Sequence, residues 1–137
     1  AKELVHTKNK NSDLTVYGYT PMMVSVQCVQ KTMDHCNHAC VQYVLKDRYQ
    51  KEFHGVCSCE FCYNTIYNTL PTSLLKEKEK AEKLGVKAYR LSFTTETQQE
   101  TEKIVRAFVD VYLRGQKPDG QMQTEETTKG HFQRGVE

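Results

Sequence analysis

The sequence has no cysteine outside residues 28–62 and no run of 18 apolar residues. The second absence excludes a membrane-crossing helix. No signal-peptide pattern opens the chain. It has no long basic block and a net charge of only +2, so it lacks the electrostatic footprint of a general nucleic-acid binder. It contains no HExxH, which excludes the common zinc-protease arrangement. Ser25, Ser58, Ser73 and Ser92 lie in no nucleophile-elbow pattern. There is no internal repeat. The 137 residues suit one domain or part of one. Hydrophobic content is 38% and charged content 26%, modest for a self-sufficient core. Ala1 is not preceded by an initiator Met and a polar stretch runs from Lys8 to Asp13, which suits an excised piece better than a processed chain.

What is present is a tight group of six thiols: Cys28, Cys36, Cys40, Cys57, Cys59 and Cys62. In an oxidising compartment they could form a disulfide framework. Their crowding, and the single residue between Cys57 and Cys59, favour metal-type use in a reducing compartment. Residues 59–62 form a CxxC pair. Two intervening residues let the chain fold back, so that both sulfurs reach one ion while backbone N–H groups point at them. Four thiolates suit either zinc or a [4Fe–4S] cluster. The plain alternative is buried or free structural thiols. His35 and His38 read as solvent-facing loop residues, because thiolates already fill four ligand places. Cys36 beside these histidines also has the composition of a thiol–imidazole nucleophile, but adjacency in sequence is not geometry. His54 reads as a solvent-facing strand residue, and His131 as a packing or binding residue. Tyr17, Tyr19, Tyr63 and Tyr67 read as packing.

The chain divides into residues 1–13, a disordered or linker lead-in, and 14–137, a single domain fragment. Residues 14–19 alternate as a strand that Pro21 ends. Residues 22–26 are an apolar run leading to Cys28, and 30–40 an irregular loop. Residues 41–45 and 52–56 form a hairpin across a polar turn, leading straight into Cys57–Cys62. Together, 14–68 are a strand and a Cys-rich hairpin. Residues 69–115 read as helix, strand, helix. Pro71 opens the first helix over 72–84 and Gly85 caps it. Its charge run from Lys76 to Lys83 is a solvated face with a Glu79–Lys83 pair. The strand spans 87–93 with Tyr89, Leu91 and Phe93 on one face. Thr95 to Gln98 fit a capping box. Ile104, Val105, Phe108, Val109, Tyr112 and Leu113 form the apolar stripe of the next helix, with Glu100 merely exposed. Residues 116–137 are a loop and tail. The pattern is α/β. A lone strand between helices leaves its edges unsatisfied, so it calls for a larger sheet or another copy of the chain, a homo-oligomer joined through strand edges.

Several stretches carry a family resemblance. Val16-Tyr17-Gly18-Tyr19-Thr20-Pro21-Met22-Met23-Val24 leads to Gln27-Cys28. Leu45-Lys46-Asp47-Arg48, Lys51-Glu52-Phe53, Cys59-Glu60-Phe61-Cys62-Tyr63-Asn64 and Ile66-Tyr67-Asn68 follow. Arg90-Leu91-Ser92-Phe93-Thr94 and Gly130-His131-Phe132-Gln133-Arg134-Gly135-Val136-Glu137 complete the set. In order and spacing the chain, from about residue 14 to its end, resembles the collagenase-like peptidase family U32 in its long bacterial form. The resemblance implies a (β/α) barrel-like core, of which this would be the late part with a cysteine-rich β-hairpin insertion. It implies protein or RNA as substrate and the remainder of the parent as partner; the reducing compartment that the thiol spacing favours suits the cytoplasm, and without a long apolar run no membrane partner is expected. Members are classed as peptidases. Several relatives instead support hydroxylation of RNA or quinone and bind an iron–sulfur cluster through four cysteines. By position those cysteines are Cys28, Cys36, Cys59 and Cys62, with Cys40 and Cys57 as extras.

Overall fold

A computed structural model describes residues 11–33, 36–118, 126–130 and 132. The architecture is mixed α/β, with two sheets. The chain forms two compact units, one from Tyr19–Thr69 and one from the segments that flank it. Among the described residues no helix is long and apolar enough to cross a membrane.

The Tyr19–Thr69 unit is a four-stranded antiparallel sheet. Its strands are β2 (Pro21–Ser25), β3 (Gln42–Lys46), β4 (Glu52–Ser58) and β5 (Tyr63–Tyr67), in the order β2-β5-β4-β3. Pro21 therefore opens a strand rather than closing one. It pairs with Tyr67 on an edge strand, where proline's missing N–H is tolerated. Where a loop was expected, a single helical turn, α1 (Val29–Thr32), follows Cys28. The β3–β4 hairpin closes on Asp47, whose Oδ1 accepts from the N–H of Tyr49 (2.8 Å) and Lys51 (2.9 Å). Gly55 faces Tyr43 in this hairpin, and a Cβ there would lie 2.3 Å from the tyrosine ring, so the ring lies across bare backbone.

The second unit centres on β1 (Asp13–Gly18). β1 pairs antiparallel with β6 (Thr72–Ser73) and parallel with β7 (Ala88–Ser92). An irregularity between Thr15 and Tyr17 lets consecutive Val16 and Tyr17 both enter the core. Gly18 is required where β1 meets β7: its φ is +143°, and a Cβ would lie 2.5 Å from the Ser92 carbonyl oxygen. The strand around Leu91 thus finds a partner within its own chain, β1.

The expected helix over 72–84 breaks into three parts. Thr72 and Ser73 stay extended to pair with Gly18 and Tyr17. A 3₁₀ turn (Leu75–Glu77) and a short helix, α2 (Lys78–Glu82), follow. Adjacent Leu74 and Leu75 are both buried, and tertiary packing of that pair overrides the helical propensity. Gly85 closes the segment at φ +64°. Nor is the charge run simply solvated. Glu77 is buried and bonded to Lys80 and Lys129, Lys78 donates to the Val111 carbonyl (3.0 Å), and the i,i+4 pair formed is Lys78–Glu82.

The helix α3 (Gln98–Phe108) starts two residues later than expected. The capping box is Thr97 with Glu100, so Glu100 is a capping partner. A π turn (Val109–Leu113) continues it. The wider turn rotates the face, so Val111 is fully buried while Leu113 is 78% exposed and leaves the expected stripe. Val16, Tyr17, Leu74, Leu75, Ala107, Phe108 and Val111 form the core, with Leu91, Phe93 and Tyr112 packed against it. In the expected linker, Thr128 bridges to Thr72, while residues 119–125 lie outside the described set.

Phe108→Ala should destabilise the protein by about 3–5 kcal/mol. Thr97→Ala, which opens the capping box, should cost about 1 kcal/mol. Exposed Glu102→Ala should stay within about 0.5 kcal/mol. Urea melts read all three, and equal losses for Phe108 and Glu102 would contradict the assigned face. The Lys129 ammonium, then that of Lys80, holds the Glu77 carboxyl below its usual range. A lowered carboxylate pKa contributes stability above the unfolded value, and that stability is lost as pH falls through the folded value. Urea midpoints between about pH 3 and about pH 6 should therefore rise less steeply for Glu77→Gln than for the parent.

Candidate thiolate site

The two hairpins of the four-stranded unit set the thiol positions. The CxxC does not trail the first hairpin. It is the turn of a second one, β4–β5, whose last pair is Ser58 with Tyr63. β5 was not foreseen in the sequence, although Tyr63, Thr65 and Tyr67 alternate there at strand period. Cys62 closes the turn at φ +52°, and its sulfur lies 3.7 Å from the Cys59 carbonyl oxygen.

Cys57 sits in β4, essentially inaccessible, opposite Asn64 of β5. Its Sγ–H donates to Asn64 Oδ1 at 2.8 Å. Asn64, 1% exposed, donates from Nδ2 to the carbonyl of Gln27. The next residue, Cys28, precedes α1 and is itself buried. One carboxamide thus holds the strand with Cys57 and the segment with Cys28. The loop of residues 36–40 is tied in by the Cys59 sulfur, 2.7 Å from the Ala39 carbonyl oxygen and 3.8 Å from Gln30 Oε1.

The electrostatics of these thiols differ. No capping hydrogen bond closes on Cys28 Sγ, yet the Lys31 backbone N–H is the strongest influence on it and lowers its pKa. Burial opposes this, while the Gln30 N–H, the Cys57 thiol and the Lys31 ammonium reinforce it. Burial raises the Cys57 thiol, followed by the charge of Cys28. Cys59 is raised by burial and then by the charges of Cys28, Cys40, Cys36 and Cys57. Cys59 is thus the thiol on which the charges of four others act. Cys62 joins Cys28 at an open recess of about 400 Å³, also bordered by Lys31 and Thr32.

Of the expected four ligands, Cys28 is buried, Cys59 half-buried, and Cys36 and Cys62 exposed. Cys57, expected as an extra, lies beside Cys28 in the interior. All six are free thiols. Among the described residues, no three Cys, His, Asp or Glu side chains already form a metal-holding arrangement. The donor chemistry nonetheless fits a thiophilic group: four thiols whose charges act on Cys59, and backbone N–H groups and an ammonium that favour the thiolate of Cys28.

His38 is exposed, at φ +56°. His54 is half-buried rather than solvent-facing, packed edge-on against Tyr19 at 5.7 Å. His35 and His131 lie outside the described residues. Asn64 was absent from the expected set. The signal that could have found it is its place two residues beyond the CxxC, at an inward strand position where an apolar residue would be ordinary.

Compared with known proteins, the chain matches no family model, no curated protein and no solved structure.

Replacing Asn64 with Leu keeps the branched shape but removes the donor to the Gln27 carbonyl and the Oδ1 acceptor of the Cys57 thiol. Destabilisation of about 1–3 kcal/mol is expected in urea melts. A change within about 0.5 kcal/mol would show that the bridge carries little of the fold.

Proposed function

We propose that the four-stranded unit is a thiolate module of a larger, cytoplasmic protein of the collagenase-like peptidase family U32, in which this chain is the late part of a barrel-like core. Cys28, Cys36, Cys59 and Cys62 would hold a [4Fe–4S] cluster or a zinc ion. The observation that carries this reading is the open recess bordered by both Cys28 and Cys62, together with the Cys59 thiol bonded at 2.7 Å to the Ala39 carbonyl of the loop that bears Cys36 and Cys40. When bound, a cluster supplies electron transfer, whereas zinc closes and stiffens the fold. This chain's own residues gather the thiols, favour the Cys28 thiolate and fix the segment that bears it. The remainder of the parent protein is the partner, and protein or RNA the substrate class.

The chain alone does not cleave protein. Barrel chemistry draws on the ends of several strands, and no nucleophile, base and oxyanion donor stand together among the residues described above. Thiolates committed to a metal are poor nucleophiles.

Metal analysis and visible absorption of anaerobically purified protein test the reading. Iron with sulfide and broad visible absorption is the expected result and would favour a redox or hydroxylation-supporting role. Zinc alone would mark a structural module. Protein that retains neither, even after reconstitution with iron and sulfide or with zinc, overturns the site. Labelled casein should stay intact with metal-loaded and chelator-treated chain alike. Cleavage that is lost in Cys36→Ala, with folding and metal content unchanged, would replace the ligand reading with a cysteine nucleophile.

A further inference from the structure

One row of side chains crosses all four strands of the antiparallel sheet. Tyr43 of β3 stands opposite Gly55 of β4, Gly55 opposite Ile66 of β5, and Ile66 opposite Met23 of β2. Gly55 brings no side chain to the row, and the Tyr43 ring takes its place. The hydroxyl oxygen lies 2.7 Å from where a Cβ on Gly55 would stand. The ring thus carries its hydroxyl off the edge strand and onto β4. That hydroxyl is buried and has no hydrogen-bond partner among the described residues. Such a group is costly to the fold.

The same face forms an open recess of about 280 Å³. Tyr43 lines it with Met23, Leu45 and Ile66 of the sheet, and with Val29 and Met33 at the two ends of α1. Ser25, Thr32 and Asn64 also border it, but each already makes a hydrogen bond within the chain. Apolar walls around a single unengaged buried hydroxyl are the composition of a small-molecule site.

We propose that this recess binds a small apolar molecule bearing a carbonyl oxygen, which accepts a hydrogen bond from the Tyr43 hydroxyl. A phenol keeps its proton at neutral pH and is a donor to that oxygen. Met23 and Met33 are exposed and turn about several single bonds, so the recess widens to admit the carbonyl. A sugar or an ion is disfavoured, because the walls would leave its polar groups unpaired. None of the six cysteines lines the recess, so the site stands apart from the metal reading.

The test uses the full chain with 13C-labelled methionine methyls and two probes of one shape, 2-acetylnaphthalene and 2-ethylnaphthalene. Both should shift the Met23 and Met33 methyl signals in titrations and leave Met22, which does not line the recess. Tyr43→Phe keeps the ring over Gly55. It should weaken the ketone about tenfold and leave the hydrocarbon within about twofold. Its urea midpoint should equal or exceed the parent's, since the hydroxyl it removes has no partner. Methyl signals of Met23 and Met33 that respond to neither probe overturn the proposal, and that result needs no variant. An equal change for both probes in Tyr43→Phe, including none, also overturns it. So does a lowered urea midpoint, which would show that the hydroxyl is already bonded within the chain. No metal enters the experiment, so its failure and that of the metal reading are distinguishable.

Discussion

A buried carboxamide is costly unless both its ends are bonded, and Asn64 meets that condition by binding Cys57 on one side and the Gln27 carbonyl on the other. The arrangement of the thiols depends on this demand. Cys57 is placed by β4, Asn64 by β5, and the CxxC by the turn that joins them. A register slip of one residue would move Cys57 and Asn64 relative to each other and send the slipped strand's side chains to the opposite face. The thiol region is therefore a product of strand pairing, with the segment before the short turn α1 and the loop of residues 36–40 hydrogen-bonded onto it.

The other unit is organised around a different constraint. β1 must present Val16 and Tyr17 together to one core, and its irregular pairing with β7 makes that possible. Tyr17 packs against Phe93 and Phe108, with ring centroids 5.5 and 6.0 Å apart. The Tyr112 hydroxyl donates to the Leu74 carbonyl at 2.9 Å, so the π turn is joined to the segment that replaces the expected helix.

The elements legible in the sequence were those whose side-chain pattern and packing agree. The strand near residues 14–18, the first hairpin and the strand around Leu91 all carry alternating apolar residues. The segment after Pro71 was misread because Lys, Glu, Leu and Ala favour a helix, while burial of adjacent Leu74 and Leu75 and pairing of Thr72 and Ser73 prevail. The capping box was misplaced because Thr95 and Thr97 both offer a hydroxyl with an acceptor three residues on. The thiol window was plain from spacing. That Cys57 rather than Cys36 lies beside Cys28 was not, because burial depends on sheet register. Asn64 reads as an ordinary polar residue until the carbonyl it binds is known.

Gly55 and Tyr43 carry a consequence for how this sheet can change over generations. The tyrosine ring occupies the space that any side chain at position 55 would need. Neither position is free to drift by itself: a larger residue at 55 becomes tolerable only after the aromatic ring at 43 has gone, and losing the ring first uncovers the backbone it shields. The order of substitutions is thereby constrained, and the two sites should be inherited as a unit.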